Sequence, residues 1–213
     1  MAKLTFGSNT FSTLTKHILK WEGKTSKDPR DSAASCAPFA GAFHTNKGIT
    51  YCTFKLYAPG LKIPVTYTNF VNLTDNQVKQ FIWKFAESVK ADQFRPSIGA
   101  SLTEIAFGSG PGRAAITINR AINANGYKLP VNKITADTIR FAALIPEKKL
   151  YGDIWQERIR FIESLGSQTK YSMYLKGWKN RINDFLSNIK PVAIFPFFFL
   201  AISLYLLKQF RDS

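Results

Sequence analysis

The feature that most constrains the fold is a helical repeat of apolar residues, clearest in "LTDNQVKQFIWKFAESVKAD", residues 73–92. Thr74 or Asp75 can cap this segment. The apolar positions recur every three or four residues and form one stripe: Val78, Phe81, Ile82, Phe85 and Val89. Similar spacing predicts helices over 9–22, 96–107, 113–123, 135–144, 146–164 and 172–189. The sequence therefore predicts a mainly α fold.

The N-terminal part differs from this pattern. Ser8 or Asn9 can cap the first helix, and Gly23 fits the left-handed position after a helix end. Residues 24–50 are rich in Ser, Ala, Pro and Asp and predict a loop or a small β region. The stretch "KGITYCTF", 47–54, is the best strand candidate and can pass into a helix.

Length and charge limit the organisation and the partners. With 213 residues, the chain suits one domain, with residues 1–72 and 73–188 as two parts of it, plus an appendage. A net charge of +15 favours polyanions: nucleic acid, anionic lipid or the bacterial wall. The sequence shows neither an RNA-binding block nor a Cys/His finger, so we expect no nucleic acid partner. Two His and two Cys argue against a zinc site, and we expect no metal or cofactor.

The C-terminal stretch "PVAIFPFFFLAISLYLL", 191–207, carries no charge. As a helix it would extend roughly 25 Å, and Lys190, Lys208 and Arg211 flank it. We therefore predict a transmembrane helix over 190–208, with a buried core helix as the alternative. The N-terminus has no continuous apolar stretch, so we expect no secretory signal there.

Glu22 is the candidate acid for glycosidic bond cleavage. Such cleavage needs a proton for the leaving oxygen and a second group that stabilises positive charge or holds water. Glu22 ends the first predicted helix, and Asp28 and Asp31 lie in the loop just after it. An acid on a helix end, facing acids and hydroxyls on a β flap, can line a cleft for a sugar chain. The alternative is a solvated glutamate at a helix end.

Several blocks in order resemble the phage and prophage muramidases of the secretion-activator type, glycoside hydrolase family 108. The family's opening, E-G-G-Y-x-x-D-P-x-D followed by T-N-x-G-I-T, is matched here by Glu22, Gly23, Asp28, Pro29, Asp31 and, after an insertion, Thr45, Asn46, Gly48, Ile49 and Thr50. "AFGSGPGRAAITINRAI", "LPVNKITADTI" and "YLKGWKNRI" resemble three later blocks of the family. Lys24, Thr25, Ala33 and Ala34 depart from the pattern.

The resemblance implies a lysozyme-like helical fold with a small β flap, which cuts the glycan of peptidoglycan with Glu22 as proton donor. By a looser similarity to phage-type lysozymes, Asp31 would be the second carboxylate, with Asp28 in reserve. Thr45 or Thr50 would then help to hold a water.

Other residues have two readings each. His44, Asn46, Tyr127 and Trp178 are candidates for sugar contacts. A polar surface position is the alternative for His44, and core or surface roles stay open for Tyr127 and Trp178; we expect His17 at the surface. Cys36 and Cys52 can form one disulfide or stay free thiols.

These observations predict a membrane-anchored peptidoglycan muramidase of phage origin, with peptidoglycan, a lipid membrane and virion proteins as partners. We expect it in a virion membrane or the bacterial inner membrane, acting on the periplasmic wall. The alternatives are a lytic transglycosylase that uses the same glutamate, and a non-enzymatic virion membrane protein that retains the fold.

Overall fold

A computed structural model describes residues 2–23, 25–169 and 171–191. Its α-helices are α1 (Asn9–Trp21), α2 (Tyr51–Tyr57), α3 (Tyr67–Val71), α4 (Asp75–Ser88), α5 (Pro96–Ser109), α6 (Pro111–Asn123), α7 (Ala136–Leu144), α8 (Glu147–Gly166) and α9 (Leu175–Asn188). Short 3₁₀ turns cover Ser32–Cys36, Pro59–Leu61, Ala91–Gln93 and Ser172–Tyr174. The mainly helical prediction is confirmed.

The small sheet lies near the N-terminus, as expected. Its strands are β1 (Thr25–Ser26), β2 (Thr45–Asn46) and β3 (Ile49–Thr50), antiparallel in the order β1-β2-β3. In the stretch 47–54, Ile49 and Thr50 form the strand and α2 begins at Tyr51, so the expected passage from strand into helix is confirmed. Thr50 caps that helix by accepting a hydrogen bond from the Thr53 amide at 3.1 Å.

Helix α5 is the centre of the core. The side chains from Ser97 to Phe107 are all buried, and α1, α4, α6 and α8 pack around them. The apolar spacing of this segment predicts Ile98, Leu102 and Ile105 as inward residues, and all three are buried. The rest of 97–107 is buried as well. Gly99 lets the backbone at Ala91 approach α5 closely, because a Cβ on Gly99 would lie 2.5 Å from the Ala91 carbonyl oxygen.

The helix ends largely follow the predicted signals. Ser8 caps α1 and accepts from the Phe11 amide at 3.3 Å, and Thr74 and Gln77 form a capping box on α4. The left-handed position expected at Gly23 is not found. The chain leaves α1 because Glu22 is already extended, with φ −85° and ψ 126°.

The predicted transmembrane helix over 190–208 falls almost entirely outside the described residues, so it stays a prediction. Within the described ranges, every helix is too short or too polar to cross a membrane.

Candidate active site

Glu22 stands at the point where α1 gives way to the β flap. Burial of Phe11, Leu14 and Ile18 fixes the direction of α1, and the Glu22 amide still donates to the Ile18 carbonyl at 2.9 Å. Its extended backbone then turns the chain toward β1. The side chain is 19% exposed, so the carboxyl is accessible but mostly enclosed.

The turn between β2 and β3 closes over this carboxyl. Lys47 (φ 48°) and Gly48 (φ 77°) form a two-residue hairpin turn with both φ values positive, a conformation that favours glycine. A Cβ on Gly48 would lie 2.7 Å from Glu22 Cδ and Oε2, and 2.7 Å from Phe107 Cε1. The T-N-x-G-I-T stretch therefore brings bare backbone against the acid, with α5 behind it.

Buried polar contacts hold this flap turn in place. The Asn46 side chain is buried, and its Nδ2 donates to the carbonyls of Phe70 at 2.7 Å and Val71 at 3.1 Å. Lys47 Nζ lies 2.6 Å from Asp75 Oδ1 at the start of α4. The flap is thus tied to α3 and to the start of α4.

Arg181, on α9, binds Glu22 from the opposite side. Its Nη1 donates to Glu22 Oε1, while Nε and Nη2 donate to the two oxygens of Glu104 at 2.6 and 3.2 Å. Burial alone would raise the pKa of Glu104, but the charge of Arg181 and contacts with His17 and Arg181 lower it to about 2. Glu104 is therefore a fixed anion that shares the guanidinium with Glu22.

A second set of contacts supports this group. His17 is buried, with Nδ1 at 2.8 Å from Asp184 Oδ2 and Nε2 at 3.6 Å from Glu104 Oε1. The second distance is an electrostatic contact rather than a hydrogen bond. Asp184 also accepts from Trp21 Nε1 at 2.7 Å and binds Lys20. The expectation of a surface His17 is wrong, because this residue is buried and its contact with Asp184 joins α1 to α9.

The two loop aspartates are engaged locally. Asp28 accepts from the Arg30 side chain and backbone, and these hydrogen bonds lower the pKa of Asp28 to about 2. Asp31 is exposed and caps the 3₁₀ turn at Ser32–Cys36, accepting from the Ala33 amide at 2.9 Å. Asp28 and Asp31 are thus each bound by groups close to them in the chain. Glu22 is instead bound by Arg181 of α9.

The flap threonines lie on one face of the sheet. The strand register aligns Ser26, Thr45 and Thr50 in one row. His44 is 1% exposed and lies between this row and the loop, with Nδ1 at 2.9 Å from Thr45 Oγ1 and Nε2 at 3.1 Å from the Asp28 carbonyl. The surface position for His44 is wrong: its ring connects Thr45 to the acidic loop.

Comparison with known proteins agrees with this arrangement. Residues 15–110, just under half of the chain, match the family model described as Glycosyl hydrolase 108. The chain is a lysozyme-like glycoside hydrolase. The match covers Glu22, the flap and Glu104, and it supports the expected action on peptidoglycan.

One solved structure resembles the hydrolase over most of its length. "Structure of Brucella abortus SagA" aligns with a TM-score of 0.64 and 19% identity, covering 87% of this chain and 98% of that chain. At this identity the likeness shows a shared fold. No curated protein sequence matches the hydrolase.

Two aromatic candidates lie in different surroundings in the hydrolase. Trp178 stands one helical turn before Arg181 on α9 and stacks on Tyr174 with ring centroids 5.9 Å apart. Tyr127 follows α6 and stacks on Phe141 of α7 at 4.4 Å. Trp178 therefore lies on the same helix as Arg181, which binds Glu22. Tyr127 instead packs against a ring of α7.

The two cysteines of the hydrolase are paired. Cys36 and Cys52 form a disulfide with a Cα–Cα distance of 5.3 Å and a sequence separation of 16. The bridge ties the inserted segment before the flap to α2. This answers the question that the sequence left open between a bridge and free thiols.

Sequence reasoning missed the acid's partners, although two of them leave a signal. Arg181 is the arginine of the G-W-x-x-R ending in "YLKGWKNRI". Glu104 is the one carboxylate among eleven consecutive buried residues of α5, and a buried acid requires a partner. His17 and Asp184 carry no such signal. Within the described residues, no group of three or more His, Cys, Asp or Glu side chains could hold a metal.

Proposed function

We propose that this hydrolase cleaves the glycan strand of peptidoglycan, with Glu22 as the general acid. One observation carries the proposal: the Glu22 carboxyl lies between Arg181 and the glycine turn of the flap, at the end of α1. The family match over residues 15–110 includes this helix end and the flap.

The two oxygens of Glu22 have different roles in this proposal. Oε1 accepts from Arg181, which leaves Oε2, the oxygen that faces the flap turn, as the one that would carry the transferable proton. A glycosidic oxygen in the cleft would receive that proton from Oε2. The Glu22 carboxylate left behind is then stabilised by Arg181, and Glu104 keeps that guanidinium in place.

The second group of the reaction is proposed from the acidic loop. Asp31, with Asp28 in reserve, would stabilise charge on the sugar or orient water. Thr45 or Thr50 would hold that water on the exposed face of the flap. Trp178 would stack on a sugar ring, as would Tyr127 if the glycan extends that far. His44 and Asn46 act through the flap: His44 holds Thr45, and Asn46 fixes the hairpin.

Lytic transglycosylation is the second candidate. It is favoured by the local contacts of both loop aspartates, since Asp28 is held by Arg30 and Asp31 caps a turn. In that chemistry the sugar's own hydroxyl replaces water, so a second carboxylate is not required. Mass spectrometry of the products separates the two, because only transglycosylation leaves anhydro-muramyl ends.

The test of the proposed function is zymography on a peptidoglycan gel with purified protein and Glu22→Gln. The variant keeps the size of the side chain but loses the transferable proton, so lysis should fall about a hundredfold or more. Thermal stability should change little, because Glu104 still binds Arg181. Glu87→Gln, at the exposed end of α4, is the matched control. Near-normal lysis by Glu22→Gln would remove the proposal.

The anchor, the phage origin and the location are a further part of the proposal. Residues 190–208 would hold the enzyme in a virion membrane or the bacterial inner membrane, with virion proteins as neighbours. The uncharged stretch 191–207 and its flanking cations support the membrane anchor alone.

The anchor proposal can be tested by extraction. Deletion of 190–213 should give an active enzyme that no longer sediments with membranes, whereas the full chain should resist salt and carbonate and yield to detergent. Release of the full chain by salt alone would show that charge, not the apolar stretch, holds it.

A further inference from the structure

A basic depression lies between α6 and α8, apart from the Glu22 cluster. It encloses about 410 Å³, and we name it the arginine pocket after three of its lining residues, Arg113, Arg120 and Arg160. Phe161 forms part of the wall, and Thr117 and Ser164 add hydroxyls. Three guanidinium groups in one depression repel one another unless an anion joins them.

The pocket has one internal counter-ion. Glu157 lines it and pairs with Arg160. Among the described residues, no carboxylate lies within 4 Å of the guanidinium of Arg113 or Arg120. The pocket therefore keeps an excess of positive charge that a ligand can neutralise.

Phe161 holds two guanidinium groups in place. Arg113 Cζ lies 3.7 Å from the ring centroid, and Arg158 Cζ lies 5.5 Å from it. An arginine that rests on an aromatic ring keeps its N–H groups available at its edge. Arg113 is thus positioned beforehand to bind an oxyanion with two parallel hydrogen bonds.

Arg158 connects the pocket to the catalytic cluster. Its Nη1 donates to Ser109 Oγ at 2.9 Å, at the end of the helix that carries Glu104. Burial lowers the pKa of Arg158 to about 10; Glu104 opposes this, and the charges of Arg181 and Arg113 add to it. The Arg158 guanidinium therefore feels charges from both sites, Glu104 and Arg181 on one side and Arg113 on the other.

We propose that the arginine pocket binds the carboxylates of the peptide stems on the glycan strand. This rests on the proposed function, because it takes peptidoglycan as the substrate. Stems branch from alternate sugars and are the carboxylate-bearing part of the polymer, whereas the glycan backbone itself offers mainly hydroxyls. The pocket would favour stem-bearing glycan over bare glycan and place it in register with Glu22.

The test compares three substrates: peptidoglycan with its wall phosphates, peptidoglycan freed of them, and glycan strands stripped of their stems whose exposed lactyl carboxylates are capped as amides. The double variant R113Q/R120Q should raise KM about tenfold on the stem-bearing substrate and leave kcat nearly unchanged. On stripped glycan it should behave as the parent. The difference should shrink as salt is added.

The matched control is R140Q/K148Q, which removes two positive charges from exposed residues outside the pocket. Like Arg113, Arg140 lies over a ring, with Cζ 4.5 Å from the Phe141 centroid. The single variant R120Q, which leaves the contact with Phe161 intact, covers the case in which R113Q unfolds the pocket. Thermal scans accompany each variant.

Three results would overturn the proposal while the parent still cleaves peptidoglycan. One is an equal KM for R113Q/R120Q and R140Q/K148Q on stem-bearing glycan. Another is an equal loss on stripped glycan. The third is a loss seen only while wall phosphates are present, which would make phosphate the ligand. Absence of cleavage by the parent on all of these substrates would instead refute the proposed function.

Discussion

Substitution of Gly48 by alanine tests the link between the flap and the acid most directly. The residue has φ 77°, and a side chain in this left-handed conformation lowers the free energy of unfolding by about 1–2 kcal/mol. Its Cβ would also lie 2.7 Å from Glu22 Cδ and Oε2 and from Phe107 Cε1. Such a contact cannot persist, so either the flap or the two side chains must move.

The control for this substitution is Gly41→Ala. Gly41 has φ 78°, and a Cβ there would meet no atom within 4 Å. Both variants therefore share the backbone cost, and only Gly48→Ala adds the collision, worth about 1–3 kcal/mol when buried atoms must move. The Glu22 carboxylate is the mobile end of a side chain, so it absorbs much of the collision and keeps this extra cost at the lower end.

The activity of Gly48→Ala should fall far more than its stability. Displacement of the acid by about 1 Å reduces turnover roughly a hundredfold. The assay is the initial rate of clearing of a peptidoglycan suspension, beside thermal unfolding of both variants. Equal rates for Gly48→Ala and Gly41→Ala would refute the reasoning, because the flap would then not limit the position of Glu22.

Three further expectations follow from the site. Glu104→Gln should destabilise the fold by about 3 kcal/mol near pH 7, since it leaves a buried guanidinium without its main partner. Because the pKa of Glu104 is lowered to about 2, its contribution is present above the unfolded value near pH 4.3 and is lost as pH falls toward 2. Denaturation curves at pH 7 and pH 2.5 should therefore differ less for Glu104→Gln than for the parent. Reduction of the Cys36–Cys52 bridge, which closes a loop of separation 16, should cost about 3 kcal/mol, and two alkylatable thiols in protein from its native location would contradict the bridge. Asp31→Asn should reduce lysis more than Asp28→Asn in the suspension assay, and the reverse order would assign the second role to Asp28.

The sequence predicted most helices because local signals decide them. Thr74 and Thr135 cap helices where expected, and apolar spacing marks the buried stripes of α1 and α4. The helix over 96–107 was also predicted, and α5 runs from Pro96 to Ser109. Its apolar spacing did not show that every residue from Ser97 to Phe107 is buried. The short strands β1 to β3 also lie below the length at which alternation can be read.

The position of Glu22 at a helix end beside the flap was predictable, while its contacts were only partly so. Glu22 stands in a spaced motif within 30 residues of the flap, so local sequence places the two together. Its partner Arg181, and Glu104, which binds the same guanidinium, come from distant helices. Their approach depends on how those helices pack, which the local sequence around Glu22 does not encode. His17 was misplaced for the same reason: a polar residue on α1 is buried because Asp184 arrives from the far end of the chain.

The Glu22–Arg181 contact joins residues 159 positions apart. During synthesis, α1 and the flap therefore exist long before the guanidinium that will hold the acid. A chain that stops before α9 would carry Glu22, the flap and α5 yet leave Glu104 buried without its cation. Completion of the Glu22–Arg181–Glu104 cluster is thus a late event in the life of each molecule, and shortened translation products should accumulate as inert protein.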